Sequence, residues 1–119
     1  MLGAMDAAQA IADLTEISPQ VRDVAVIAPD GSLVGSNAPA ETASHLADVA
    51  KRLVGEADRL RPGVAQLEAA TVAGSVFVVR DGERLIAATT TPEPTVGLVF
   101  YDLKVCLRSV EEGESAAAS

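Results

Sequence analysis

Residues 24–28 read VAVIA and residues 75–79 read SVFVV, and these two short segments constrain the architecture most strongly. Both contain several β-branched residues, which favour strands. Neither alternates apolar with polar residues, as a strand does when one face of its sheet is wet. Both faces of the sheet must therefore be covered, and helices on both sides provide that cover economically. The two segments predict an α/β fold, a three-layer α/β/α sandwich.

Helices and further strands flank these segments in the order α-β-β-α-β-β-β-α. Apolar residues at helical spacing predict helices over residues 4–17 and 39–60, and a last helix that ends at about Val110. Turn signals such as Asp81-Gly82 separate the strands. The predicted strands are residues 21–28, 32–36, 65–72, 75–80 and 84–90. We expect one domain over residues 1–110 and a disordered tail over residues 111–119.

Charge and cysteine usage exclude several classes of function. The chain has 119 residues and a formal net charge of −8, with nine Lys and Arg against seventeen Asp and Glu. A nucleic-acid partner is excluded because its phosphates require a basic surface. One cysteine and no long apolar run predict a cytoplasmic protein that does not insert into membranes.

Motifs of catalysis are missing from the sequence. It has no GxxxxGK[ST] phosphate loop and no carboxylate cluster with metal spacing. The single histidine, His45, is predicted to be a solvated surface residue. The single cysteine, Cys106, shares the apolar side of the last helix and is predicted to be a small core residue. We expect no enzyme activity, no metal and no cofactor.

The long helix carries two apolar stripes, about 90° apart on a helical wheel. One stripe consists of large residues and the other of small ones. The small residues recur at the spacing of a helix-pair seam. The large stripe is Leu46, Val49, Leu53 and Leu60, and the small stripe is Ala43, Ala47, Ala50, Val54 and Ala57.

Two arrangements fit these stripes. In one, both stripes lie on the domain's own sheet, with the alanines where the helix approaches the sheet most closely. In the other, which we favour, the leucines face the sheet and the alanines face the same helix of a second copy in a twofold contact.

The segment QLEAATV, residues 66–72, contains neither Pro nor Lys, the residues that commonly protect an edge strand from pairing. An unprotected edge strand needs a partner, whereas an internal strand needs no protection. The first interpretation supports dimerisation, and the second remains open.

Two stretches resemble the Roadblock/dynein light chain family. LTEISPQVRDVAVIAPDGSLVGS, residues 14–36, resembles that family's first helix, strand and Asp-Gly turn into a short strand. ERLIAATTTPEPTVGLVFYDLK, residues 83–104, resembles its last strand and the start of its last helix. Together with the element order, the resemblance covers about residues 4–110.

The resemblance implies a five-stranded, mostly antiparallel sheet, with the long helix on one face and both terminal helices on the other. It also implies a homodimer, formed through the third strand and the long helix. On this chain the predicted dimer interface is Ala43, Ala47, Ala50, Val54, Gln66, Leu67, Glu68, Ala69, Ala70 and Val72.

The family's function gives one hypothesis and the shape of the fold gives another. Family members bind or regulate Ras-like small GTPases or act as scaffolds, so the resemblance implies a non-catalytic module with such a partner. Such a module could stimulate the partner's GTP hydrolysis without housing chemistry. The alternative is a small-ligand sensor domain of similar α/β/α shape, which requires a pocket between sheet and helices.

Overall fold

The structure, a computed structural model, describes residues 6–118, with side chains as far as residue 110. Its helices and strands follow the predicted order. They are α1 (Ala7–Ile17), β1 (Val21–Ile27), β2 (Leu33–Ser36), α2 (Ala40–Leu60), β3 (Gln66–Thr71), β4 (Gly74–Asp81), β5 (Arg84–Thr90) and α3 (Val96–Ala118).

Local hydrogen bonds explain where several of these elements begin and end. The Gln9 N–H donates to the Asp6 carboxylate over 2.8 Å, which caps the first turn of α1. In the turn after β1, the Asp30 carboxylate accepts bonds from the Ser32 N–H and hydroxyl at 2.9 and 2.7 Å. These bonds lower the pKa of Asp30, the hydroxyl contributing most. Gly82 has a φ of 66°, as the tight β4–β5 turn requires.

The five strands form one antiparallel sheet in the order β2-β1-β5-β4-β3. Val26 of β1 pairs with Ile86 of β5, and Ala87 of β5 pairs with Val78 of β4. This register sends alternate residues of all three central strands to the same face, so each face has its own apolar layer.

One face of the sheet carries α1 and α3, and the other carries α2. The first core cluster joins Val24, Val26, Phe77 and Val79 to buried residues of α1 and α3. The second joins Ala25, Ile27 and Val78 to α2. The three-layer α/β/α sandwich is confirmed, and the apolar strands are covered on both sides as predicted.

Two close contacts fix the terminal helices on their face. The rings of Phe77 and Phe100 meet edge to face, with centroids 4.9 Å apart, which ties α3 to β4. Gly35 lies so close to Ala7 that a Cβ at position 35 would collide with the Ala7 side chain. The absence of a side chain at Gly35 therefore lets α1 approach β2.

The small stripe of α2 faces its own sheet. Ala25 and Ala87 of the sheet lie in the same cluster, so small residues on both sides let the helix approach closely. The prediction that this stripe faces another helix is wrong, because the sheet already covers these side chains. Three predicted interface residues, Ala47, Ala50 and Val54, belong to this cluster, and a fourth, Ala43, is also buried.

The residues of the large stripe of α2 become more exposed toward the end of the helix. Leu46 is buried, Val49 and Leu53 are half-buried, and Leu60 is 84% exposed. The leucines predicted to face the sheet therefore do so only at Leu46. Leu53 lies at the margin of the core, and Leu60 is exposed to solvent.

The two ends of the chain differ from the predicted helix limits. Ala4, the predicted start of the first helix, lies outside the described residues. α3 continues to Ala118, past Val110, where the sequence predicts its end. Only the helical backbone is described over residues 111–118.

Candidate interaction site at the open sheet edge

β3 is the last strand of the sheet, with β4 on one side and no strand of the described chain on the other. Of the two interpretations left open for residues 66–72, the structure agrees with the edge strand. Six residues, Gln66–Thr71, form the strand, and each pairs in register with β4.

The register of β3 shows which backbone groups are free. The Arg80 N–H donates to the Ala65 carbonyl over 2.8 Å, so residues 65 and 80 form a hydrogen-bonded pair of the two strands. Such pairs alternate with pairs whose N–H and C=O groups point away. The N–H groups of Gln66, Glu68 and Ala70 therefore point to the open edge.

Side chains of β3 alternate between the two faces. Leu67 and Ala69 are half-buried on the α2 side, where Leu67 packs at the margin of the second core cluster. Gln66, Glu68 and Ala70 are exposed on the other face. The Ser75 hydroxyl of β4 donates to the Glu68 carboxylate over 2.9 Å. This bond directs the charge toward β4 and away from the open edge.

One side of α2 carries two leucines that lie outside the centre of the core. Leu53 packs at the margin of the same cluster as Leu67. Leu60 lies two turns further along the same side of the helix and is exposed. β3 together with Leu53 and Leu60 is called the edge surface below.

Asp58 holds the segment that leads into β3. Its carboxylate accepts bonds from the backbone N–H groups of Gly63 and Val64 at 3.1 and 3.0 Å. It also pairs with Arg80 of β4, with Nη1 2.9 Å from Oδ2. This role was not predicted, although Asp58 lies just before Pro62-Gly63, a signal for a helix end.

The predicted interface residues separate into two groups. The strand residues lie together at the edge, with Val72 fully exposed in the turn that follows β3. The helix residues lie on the buried side of α2. Leu53, and not the alanines, is the residue of α2 that packs with Leu67 of β3 at the margin of the second core cluster.

His45 and Cys106 occupy the positions predicted for them. His45 is exposed on α2. Cys106, on α3, is buried in the first core cluster. Burial and the negative charge of Asp13 raise the pKa of the Cys106 thiol to about 12.

Metal sites and membrane-spanning helices do not occur among the described residues. No group of three or more His, Cys, Asp or Glu side chains there is placed to hold a metal ion. No helix in that part of the chain has the length and apolar character needed to cross a membrane.

Comparison with known proteins identifies the fold. No protein-family model matches the chain, and no curated protein matches it. Among solved structures, the Roadblock/LC7 domain from Streptomyces avermitilis matches with a TM-score of 0.79 and 17% identity, covering 90% of this chain and 96% of that one. The chain has the Roadblock/LC7 fold.

Two further solved structures are similar to this Roadblock/LC7 fold. MglB of Myxococcus xanthus matches with a TM-score of 0.68 and 16% identity, covering 92% of this chain and 90% of that one. LokiProfilin1, solved in a complex with rabbit actin, matches with a TM-score of 0.64 and 13% identity, covering 91% and 98%. At these identities the likeness concerns the fold alone, and a shared fold does not specify a partner.

Proposed function

We propose that the chain is a homodimeric interaction module that binds a Ras-like small GTPase, and that its two copies pair edge to edge through β3. The open edge of β3 is the observation that carries the proposal. Three N–H groups there point outward, and neither Pro nor Lys blocks their pairing. A second copy of β3, antiparallel to the first, would satisfy them and extend the sheet across both copies.

The side chains of the edge surface favour this arrangement. A twofold axis beside β3 would bring Leu53 and Leu60 of the two copies together above the joined sheet. Fully burying a leucine that was exposed contributes about 1.5–3 kcal/mol. The Glu68 carboxylate, turned toward Ser75, would be kept away from its twofold equivalent.

The proposed GTPase partner rests on the family resemblance. Members of the Roadblock/dynein light chain family bind or regulate Ras-like GTPases, and the Roadblock/LC7 fold of the chain supports the resemblance. The described residues hold no phosphate loop, so the nucleotide would belong to the partner. Any effect on hydrolysis would then be regulation of that partner.

Sedimentation equilibrium at micromolar concentration tests the dimer. We expect a dimer for the unchanged chain and for Ala70→Thr, which keeps the outward N–H and a strand-favouring side chain. Ala70→Pro removes that N–H without removing a bond to β4, so we expect a monomer that retains its circular dichroism. A monomeric unchanged chain contradicts the dimer, and so does a dimer that Ala70→Pro leaves intact.

Calorimetric titration tests the partner separately. The chain is titrated with the Ras-like GTPase encoded nearest to it, loaded with GDP or with a non-hydrolysable GTP analogue. We expect binding that differs between the two nucleotide states. Absence of binding in both states contradicts the GTPase proposal and leaves the dimer proposal standing. Actin is titrated as a comparison, and binding to actin alone also contradicts the GTPase proposal.

A further inference from the structure

A groove lies between α1 and α3, on the opposite face of the sheet from α2. It has a volume of about 280 Å³. Ala10, Leu14 and Cys106 form a buried floor, while Ile17 and Val105 on its two sides are 65% and 44% exposed. Apolar side chains exposed together along a groove are typical of an interaction surface.

Carboxylates surround this apolar floor. Asp13 and Glu16 of α1 line the groove together with the buried Asp102 of α3, and none of its described lining residues is Lys or Arg. The chain's net charge of −8 reinforces this local negative charge.

The cations of α3 lie on its other side and do not neutralise the groove. Arg108 lies 3.6 Å from the Asp81 carboxylate at the β4–β5 turn. Lys104 lines a different surface depression, together with Gln66 and Tyr101. The groove therefore combines apolar contacts with uncompensated negative charge.

The shape of the groove and its charge define an occupant. A trough between two packed helices accepts a third helix that lays an apolar stripe into it. Acidic residues at the margin select Lys and Arg beside that stripe. We propose that the α1–α3 groove binds a basic amphipathic helix of a different protein, with apolar residues on Ile17 and Val105 and basic residues facing Asp13 and Glu16.

Other occupants fit the charges less well. A second copy paired through the same groove would bring the carboxylates of one copy close to those of the other, since a twofold contact joins the same surface of both copies. An anionic membrane would be repelled by the same residues. The groove also lies apart from β3, so it can be occupied in either oligomeric state.

Fluorescence anisotropy tests the groove with a defined probe. The probe is a labelled peptide of about 18 residues, long enough to form a helix, with leucines at helical spacing and lysines beside them. A matched peptide carries glutamate in place of lysine. At an ionic strength of about 0.15 M we expect saturable binding of the lysine peptide and none of the glutamate peptide. No binding of the lysine peptide overturns the proposal.

Apolar variants locate the binding. Ile17→Ser combined with Val105→Ser is expected to weaken binding at least about tenfold, because both contacts are lost. The control combines Leu33→Ser and Val96→Ser, whose side chains are 41% and 39% exposed away from the groove. The control is expected to change binding by less than about twofold. Equal losses of peptide binding in the two double variants overturn the proposal. A change in oligomeric mass that occurs only in the groove variant also overturns it.

Charge variants separate a specific groove from general attraction to an acidic protein. Asp13→Asn with Glu16→Gln removes two negative charges at the groove, and Glu41→Gln with Asp48→Asn removes two on α2. Both pairs change the net charge equally. We expect weaker binding for the groove pair only, and equal weakening in both overturns the proposal.

Discussion

Two glycines show how strongly the effect of one methyl group depends on position. Gly74 begins β4 with a φ of 148°, and a Cβ there would collide with the Thr90 carbonyl oxygen. Gly55 lies in α2 with nothing within 4 Å of an added Cβ. The sequence does not predict this contrast, because it shows only that Gly74 lies near the start of a strand and Gly55 in the middle of a helix.

Replacing each glycine by alanine is expected to give opposite results. Gly74→Ala should lower the free energy of unfolding by more than about 2 kcal/mol, because the backbone is strained and Thr90 must move. Gly55→Ala should raise it by about 0.5–1 kcal/mol through better helix propensity. Urea denaturation measures both, and a similar change in the two variants would contradict the local geometry.

Cys106 is expected to be unreactive in the folded chain. Burial and Asp13 raise the pKa of its thiol from 9.0 to about 12, so almost no thiolate forms at pH 8. Iodoacetamide should label the folded chain slowly and the urea-unfolded chain quickly. Rapid labelling of the folded chain would contradict the burial.

The same shift in the pKa of Cys106 has a consequence for stability. A group whose folded pKa is raised contributes stability that is present below its unfolded pKa. The contribution should decline as the pH rises from 9.0 toward about 12, because the thiol ionises in the unfolded chain over this range while it stays protonated in the folded chain. Comparing the unfolding of the unchanged chain with that of Cys106→Ala across this range measures the decline. Identical pH slopes would show that the thiol is not responsible.

At the scale of elements, α2 depends on small residues where it crosses the sheet. Ala50→Leu should lower the free energy of unfolding by about 1–3 kcal/mol, since the buried contact with the sheet has no room for a larger side chain. Ala40→Leu, at an exposed position of the same helix, should change it by less than about 0.5 kcal/mol. Thermal and urea unfolding measure both. Equal effects would mean that Ala50 does not face the sheet.

The stripes of α2 also show what the sequence could predict. Their periodicity correctly identified two apolar sides. It could not decide which side faces the sheet, because that depends on the small residues Ala25 and Ala87 in strands distant along the chain. The roles of Asp58 and Arg80 were missed for a similar reason, since their contact joins residues far apart in sequence.

At the scale of the whole molecule, the architecture was predictable because several signals agree. Continuous apolar strands require cover on both faces, and the order of helices and strands supplies it. The composition of residues 66–72 was compatible with an edge strand and with an internal strand, and the order of the sheet decides between them. The strand order β2-β1-β5-β4-β3 does not follow from local sequence patterns, since it depends on long-range pairing between β1 and β5.

Pairing through β3 is the central claim, and amide hydrogen exchange followed by NMR tests it most directly. The N–H groups of Leu67 and Ala69 point to β4 and should be protected at every concentration of the chain. Those of Glu68 and Ala70 point outward, so a second β3 is expected to protect them at high concentration and release them on dilution. Fast exchange of Glu68 and Ala70 at all concentrations would contradict the edge-to-edge dimer.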